Sequence, residues 1–397
     1  MPAAAARRAS PFVPACRPPF TLLRLDHLPI PEETKPMEAL VDAAPAAQPH
    51  AFDERALARW LATELPGFEG PLTVERFKDG QSNPTFKLIT PGRSYVMRAK
   101  PGPQARLLPS AHAIEREYRV MDALALSGVP VARMHLLCQD ESVIGRAFYL
   151  MEFVEGRVLW EQSLPGLPPA ERGALYDEMN RVLAGLHNVD IRAVGLSDFG
   201  RPGNYFERQI SRWSKQYTAS ITEPIAEMDR LMAWLPGHLP TSARDSSQAS
   251  IVHGDYRLDN LIFHPTEPRL VAVLDWELST IGHPLADFSY HCMSWHIEPG
   301  MFRGIAGLDL AALGIPSELD YMSRYCERTG RGSADALQAD WDFYLAYNLF
   351  RLSAITQGIA RRVVDGTAAS AQARATGNIA RPLAVMGWHF AQRAGAL

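Results

Sequence analysis

Beyond residue 51 the chain carries two kinds of apolar periodicity in succession, first short and mixed, then long and helical. Leu57, Trp60, Leu61 and Leu65 fall on one helical face, and Pro66-Gly67 stop that run. Three short β-rich stretches follow at 72–77, 85–90 and 94–99, separated by Asp79-Gly80 and Pro91-Gly92, which predicts a meander of hairpins. A helix is expected over 112–126, closed by Ser127-Gly128 and Pro130, and a further strand over 147–154 runs into Glu155-Gly156. After Gly156 long amphipathic segments take over at 169–187, 205–217, 224–235 and 340–364, with one β-like interruption at 250–277. The order predicts an α+β chain of two lobes, a small β-rich one over 51–154 and a mostly helical one over 155–397.

Residues 1–50 show neither periodicity and are rich in Ala and Pro, so they are expected to form a disordered, dispensable tail with Met37 as an alternative start. Arg7, Arg8, Arg17 and Arg24 precede any acidic residue, as in a transit peptide, but the prolines between them break an amphipathic helix. A cytoplasmic location is the expectation.

Composition narrows the function classes. The 397 residues are 47% hydrophobic and 21% charged, in the range of globular proteins, and long enough for two sizeable cores. A net charge of −4 without a basic stripe argues against nucleic acid as a partner. No apolar run approaches the roughly 18 residues that cross a bilayer, so no membrane partner is expected. Cys16, Cys138, Cys292 and Cys326 form no C-x-x-C pair and are expected to be reduced thiols. His253, His283, His291 and His296 lack the spacing of a zinc site.

The chemistry concentrates in the stretch 251–262 and in 270–277, where apolar runs bracket His253, Asp255, Asn260 and Asp275. Phosphoryl transfer needs an aligned acceptor hydroxyl and metal ions that neutralise phosphate charge. The Asp-to-Asn spacing of Asp255 and Asn260 is that of a kinase H-R-D-x-x-x-x-N loop, and Asp275 ends a following strand, where a second metal ligand belongs. Brackets, spacing and a preceding β-lobe together point to a protein-kinase-like arrangement.

At these residues the chain resembles the aminoglycoside phosphotransferase-like family, and within it the branch associated with acyl-CoA dehydrogenases. The resemblance runs from about Gly67 to Ala375 and is carried by Gly80-Gln81-Ser82-Asn83, Tyr95-Val96-Met97-Arg98, Arg116-Glu117-Tyr118, the segments of His253 and Asp275, and Gly282-His283-Pro284-Leu285-Ala286-Asp287. It implies a kinase-like fold and O-phosphorylation of a small molecule with ATP and magnesium (Mg2+). Asp255 would orient or deprotonate the acceptor, Asn260 and Asp275 would hold magnesium, and Gln81, Ser82 and Asn83 would cover the phosphates. Arg98 would grip phosphate and pair with Glu117, although Lys100 shares its strand face and rivals it. Glu152, Phe153 and Val154 would form the adenine-reading hinge, and Asp287 would tie the catalytic loop.

For the acceptor, the branch suggests a hydroxyacyl-CoA or related hydroxy acid, with a functional link to acyl-CoA dehydrogenases. Arg208 and Arg212, four apart on one helical face, and Arg351 on the late helix are the candidate anion-binding residues. Aminoglycoside phosphorylation is the alternative enzyme reading, favoured if carboxylates line the cleft. A nucleotide-binding pseudoenzyme is the alternative outside catalysis, against which the presence of Asp255, Asn260 and Asp275 argues.

Overall fold

The computed structural model describes residues 35–36, 52–77, 83–101, 113–367 and 370–397. Its strands are β1 (Lys35–Pro36), β2 (Thr73–Arg76), β3 (Thr85–Ile89), β4 (Ser94–Ala99), β5 (Met134–Cys138), β6 (Phe148–Glu152), β7 (Arg157–Val158), β8 (Ser250–Val252), β9 (Leu261–Phe263), β10 (Leu270–Val273) and β11 (Thr280–Gly282). The helices are α1 (Glu54–Glu64), α2 (Ile114–Leu124), α3 (Pro169–His187), α4 (Tyr205–Ser220), α5 (Ala226–Trp234), α6 (Thr241–Arg244), α7 (Pro284–Cys292), α8 (Leu310–Leu313), α9 (Glu318–Thr329), α10 (Ala334–Val364), α11 (Ala371–Asn378) and α12 (Ala380–Arg393).

The first lobe is an antiparallel sheet in the order β2-β3-β4-β6-β5. Side chains alternate across a strand, so β4 splits its residues between two cores. Tyr95, Met97 and Ala99 pack with Leu57 and Leu61 of α1 and with Phe148 and Leu150 of β6. Val96 faces the other way, toward α2 and the rest of the molecule, with Tyr149 and Met151. Arg98 shares that second face, opposite Tyr149 in the ladder. The strand Met134–Cys138 was not expected, since its sequence has no clean alternation, and it adds the sheet edge against β6.

Gly156 carries the chain between lobes where nothing larger fits, because a Cβ there would lie 2.3 Å from Ile262 Cγ2 and 2.4 Å from the Phe263 carbonyl oxygen. The second lobe is helical. Its longest element, the 31-residue α10, packs against α4, α11 and α12. Two small sheets interrupt it, β1-β7-β9-β10 and β11-β8, and between them lie the loops that bear the candidate chemistry. The expected β-like stretch 250–277 is thus three short strands, and β10 stops at Val273 because Asp275 turns left-handed at φ 64°.

Helix α2 belongs to the first lobe by sequence but is fastened to the second. Arg116 donates to the carbonyls of Phe199 at 2.8 Å and Ser279 at 3.3 Å, and lies 4.2 Å above the Phe199 ring. Arg119 pairs with Asp198 nearby. Among the described residues no helix is long and apolar enough to cross a membrane, and Cys138, Cys292 and Cys326 are buried free thiols. Of the leading segment, only the strand Lys35–Pro36 is described, paired antiparallel with β7, and the rest of 1–50 lies outside the described residues.

Candidate active site

A cleft of about 860 Å³ runs between the lobes. Its inner end is an apolar slot lined by Val96, Ala132, Met151, Val154, Ile262 and Leu274. Glu152 and Val154 of the expected hinge reach this slot, whereas the ring of Phe153 turns aside to carry Lys87 Nζ at 4.1 Å.

One wall is a buried polar network. Arg98 Nε lies 2.9 Å from Glu117 Oε2, and its NH2 reaches Asp275 Oδ1 at 3.0 Å and Glu277 Oε2 at 3.3 Å. Asn83 Nδ2 donates to Glu117 Oε1 at 2.9 Å and Tyr149 donates to Oε2 at 3.0 Å. Burial pushes the Glu117 carboxyl above the usual carboxylate range, against the pull of Arg98. Burial also opposes charge on Arg98, yet Glu117 foremost among its neighbours holds its proton more tightly than an ordinary arginine's. Of the two rival cations, Lys100 pairs with Glu115, while Arg98 reaches Glu117 and Asp275. Gln81 and Ser82 lie outside the described residues, and Asn83 supports Glu117 from a buried position.

The opposite wall is the loop after β8. Gly254, at φ 86°, gives the turn its shape, and a Cβ there would come within 2.8 Å of Leu278. Asp287 at the start of α7 fixes the loop by accepting from the backbone amides of His253 and Gly254. From behind, the Arg351 guanidinium donates to the Gly254 carbonyl while lying 4.8 Å from the Tyr290 ring and 5.5 Å from that of Trp213. Asp255 is thereby presented to the cleft with its carboxylate held by two hydrogen-bond donors and one ion pair. Tyr290 donates to Oδ1 at 2.7 Å, while Asn260 Nδ2 and Arg257 Nε stand 3.1 Å from Oδ2. Burial, and then Asp255 itself, push the Tyr290 phenol well above its ordinary value, so it remains the donor.

Asn260 directs Nδ2 toward the carbonyl and carboxylate of Asp255, which leaves its Oδ1 as an acceptor-type atom. Asp275 is engaged by Arg98 through Oδ1. One carboxylate and one amide oxygen on a shared cleft suit magnesium, a hard cation that binds through one or two carboxylates completed by substrate phosphates and water. Among the described residues no set of three His, Cys, Asp or Glu is gathered as a metal centre. The left-handed backbone of Asp275, rare for a residue with a side chain, is the kind of strain that persists where function requires it.

Two expectations need correction. Arg208 and Arg212 do not line the cleft: Arg208 donates to the carbonyls of Gly203 and Arg201, and Arg212 is exposed, stacked 5.3 Å from the ring of Trp213. The reason is local, since the loop before α4 turns through Gly203 and leaves carbonyls for Arg208 to satisfy. Arg351 is buried and holds the backbone of the Asp255 loop, so it is placed to position that loop rather than to meet an acceptor. The sequence reading missed Arg257, Tyr290 and Arg303. Arg257 lies between Asp255 and Asp259, and Arg303 bonds Asp259 at 2.9 Å. Arg257 was within reach, as the cation two residues after Asp255, but Tyr290 and Arg303 arrive from distant segments with no local signature.

A model described as a phosphotransferase enzyme family matches residues 73–320. A Ralstonia eutropha protein of known structure, provisionally described as an aminoglycoside phosphotransferase, is 64% identical, with a TM-score of 0.78 over 86% of this chain and 99% of that one. Choline kinase from Cryptosporidium parvum shares the fold at 11% identity, with a TM-score of 0.59 over 86% of this chain and 96% of its own. Mouse acyl-CoA dehydrogenase family members 10 and 11 are 44% and 42% identical over 88% and 87% of this chain. The chain spans less than half of those two mouse proteins, 32% and 44% of their lengths.

Proposed function

Because the chain belongs to this phosphotransferase family and has its kinase-like fold, we propose that it transfers the γ-phosphoryl group of ATP to a hydroxyl of a hydroxyacyl-CoA or related hydroxy acid, with magnesium. The observation that carries the reading is Asp255, fixed by Tyr290, Asn260 and Arg257 and facing the same cleft as Asp275. Asp255 orients the acceptor hydroxyl and takes its proton as the oxygen bonds to phosphorus and ADP leaves. Arg257, 25% exposed beside Asp255, supplies positive charge where the transferring group gains negative charge. Asn260 and Asp275 would hold magnesium, which when bound neutralises phosphate charge. Arg98 would meet phosphate, and the apolar slot would take adenine beside the hinge. The thioester acceptor is supported by the similarity to acyl-CoA dehydrogenase family members, and the same similarity supports a functional link to such dehydrogenases.

The lining charges favour a second reading on bare count, since Glu152, Glu161, Asp255, Asp259, Asp275 and Glu277 face Arg98, Arg257 and Arg303. Such a surface attracts a polycationic aminoglycoside. Pairing weakens that argument without reversing it: Asp255 and Asp259 are bound to Arg257 and Arg303, and Asp275 and Glu277 to Arg98, which leaves Glu152 and Glu161 outside these ion pairs. The assay supplies ATP, magnesium, hydroxyacyl-CoAs and kanamycin-type aminoglycosides to the purified protein and identifies phosphorylated products by mass. Phosphate on the thioesters is expected, and phosphate on the antibiotics alone would overturn the acceptor assignment.

A further inference from the structure

The cleft does not end at Asp255. A second arm leads away from the adenine slot along α10, where Leu352, Ile355, Thr356 and Ile359 line it. Their spacing of three, four and seven residues from Leu352 puts all four on one helical face, a continuous stripe about 10 Å long. Thr356 contributes to that stripe as an apolar group, because its hydroxyl donates back to the carbonyls of Leu352 and Ser353, each at 3.0 Å. The far wall is Gln372, Ala373, Ala375 and Thr376 of α11 and, beyond that helix, Ile379. Alanine fills little of the space that α10 faces, while Gly377 holds α11 close elsewhere, a Cβ there lying 2.9 Å from Ala360 Cα. Ile355 and Ile359 are left only half-buried on an interior wall.

The stripe lines the same cleft as Asp255. Leu352 follows Arg351, whose guanidinium holds the carbonyl of Gly254 immediately before Asp255. A ligand whose hydroxyl meets Asp255 therefore has an aliphatic channel beside it, in the same cleft that holds the candidate nucleotide slot. From this geometry we infer that the arm between α10 and α11 binds the hydrocarbon chain of the acceptor, so that the enzyme selects hydroxyacyl substrates of medium or long chain. The inference rests on the hydroxyacyl reading for its chemistry but concerns a separate part of the cleft. Its ligand class is an aliphatic chain laid along α10, since that stripe offers dispersion contact and no free hydrogen-bonding group, while the polar Gln372 and Thr376 stand on the α11 side. Each methylene buried there is expected to raise kcat/KM about threefold to fourfold until the arm is full.

The experiment compares 3-hydroxybutanoyl-, 3-hydroxyoctanoyl- and 3-hydroxydodecanoyl-CoA on the full chain and on Ile355→Trp and Ile359→Trp, each first checked for an unchanged melting temperature. The ratio of kcat/KM for the long over the short substrate should fall at least tenfold in both variants. A parallel titration follows the fluorescence of cis-parinaric acid, which reports hydrocarbon binding whatever the phosphorylated acceptor is, and it should weaken at least tenfold in the same variants. Should no thioester be phosphorylated while the probe binds and is lost in the variants, the acceptor assignment falls and the aliphatic arm stands. A probe that does not bind the wild type, or chain-length ratios and probe binding alike in wild type and variants, would overturn the inference. Loss of folding in both tryptophan variants leaves the decision to Ile359→Ser, which widens the arm and should lower the same ratio.

Discussion

The two walls of the cleft are each built on a carboxylate beside an arginine, and they differ in what surrounds the pair. Glu117 is 1% exposed and its partner Arg98 15%, with Asn83 and Tyr149 completing the carboxylate's bonds. Asp255 is 17% exposed and Arg257 25%, and the cleft passes in front of both. The first pair is the more enclosed: both Glu117 oxygens are taken by protein groups, and only Arg98 extends to the cleft-lining Asp275 and Glu277. In the second, protein donors fix the carboxylate's orientation and one side stays open to a ligand. A buried pair is judged by the cost of breaking it, an exposed one by what it can do to a bound molecule.

The largest effect is expected on the open side. Asp255→Asn keeps the shape of the side chain but loses its charge, and turnover should drop about a thousandfold with nucleotide affinity nearly unchanged. Near-normal rates in a coupled ADP-release assay would take Asp255 out of the chemistry. Asp275→Asn should come next, with the magnesium concentration for half-maximal rate raised about tenfold or more, because an amide is a poorer ligand for a hard cation. A magnesium titration that superimposes on the wild type would show that Asp275 serves only Arg98. On the closed side the loss should appear as stability rather than as a rate alone. Glu117→Ala strands part of the Arg98 charge and should cost about 3 kcal/mol, near the lower end for a broken buried pair, because Asp275 and Glu277 still face that guanidinium. Urea unfolding measures this directly, and a midpoint unchanged from wild type would erase the contrast between the walls.

A smaller effect probes the support behind the open wall. Burial holds the imidazoles of His283 and His291 down at about 4, from an ordinary 6.5. The unfolded chain would take up these protons as pH falls through about 6.5, and the folded chain only near 4. The stabilisation is therefore complete above about 6.5 and is lost progressively as pH drops toward 4. His291→Gln should flatten the fall in urea midpoint between about pH 7 and pH 5, and an identical slope would remove His291 from the acid response.

How legible the molecule was from its residues depended on range. Local periodicity located the hairpins of the first lobe and all of Pro169–His187, since pattern and structure there are set by the same near neighbours. It failed for the short elements α7 and β11, which are buried on nearly every side, polar residues included, and so carry no periodic apolar face. The spacing of Asp255, Asn260 and Asp275 was readable because loop and strand hold them in one stretch of chain. Arg208 and Arg212 show the opposite case. Helical spacing says which side chains share a face, and nothing about which surface that face meets. Which of Arg98 and Lys100 pairs with Glu117 depended on Glu115 and Glu117, two residues apart on another element, and alternation along β4 could not decide it.

The fastening of α2 has a consequence for regulation. In kinases whose corresponding helix swings, the swing makes or breaks the cation–carboxylate pair and so acts as an on–off lever. Here Arg116 bolts the helix to carbonyls on two loops of the other lobe, one of them the Ser279 carbonyl four residues beyond Asp275. A bolted helix is a bracket. The polar wall stands assembled in this structure, and a helix held in this way is expected to leave throughput to the arrival of substrate instead of to a conformational signal. Amide hydrogen exchange across 114–124 should be equally slow with and without nucleotide, a signature of machinery that has no resting posture to leave.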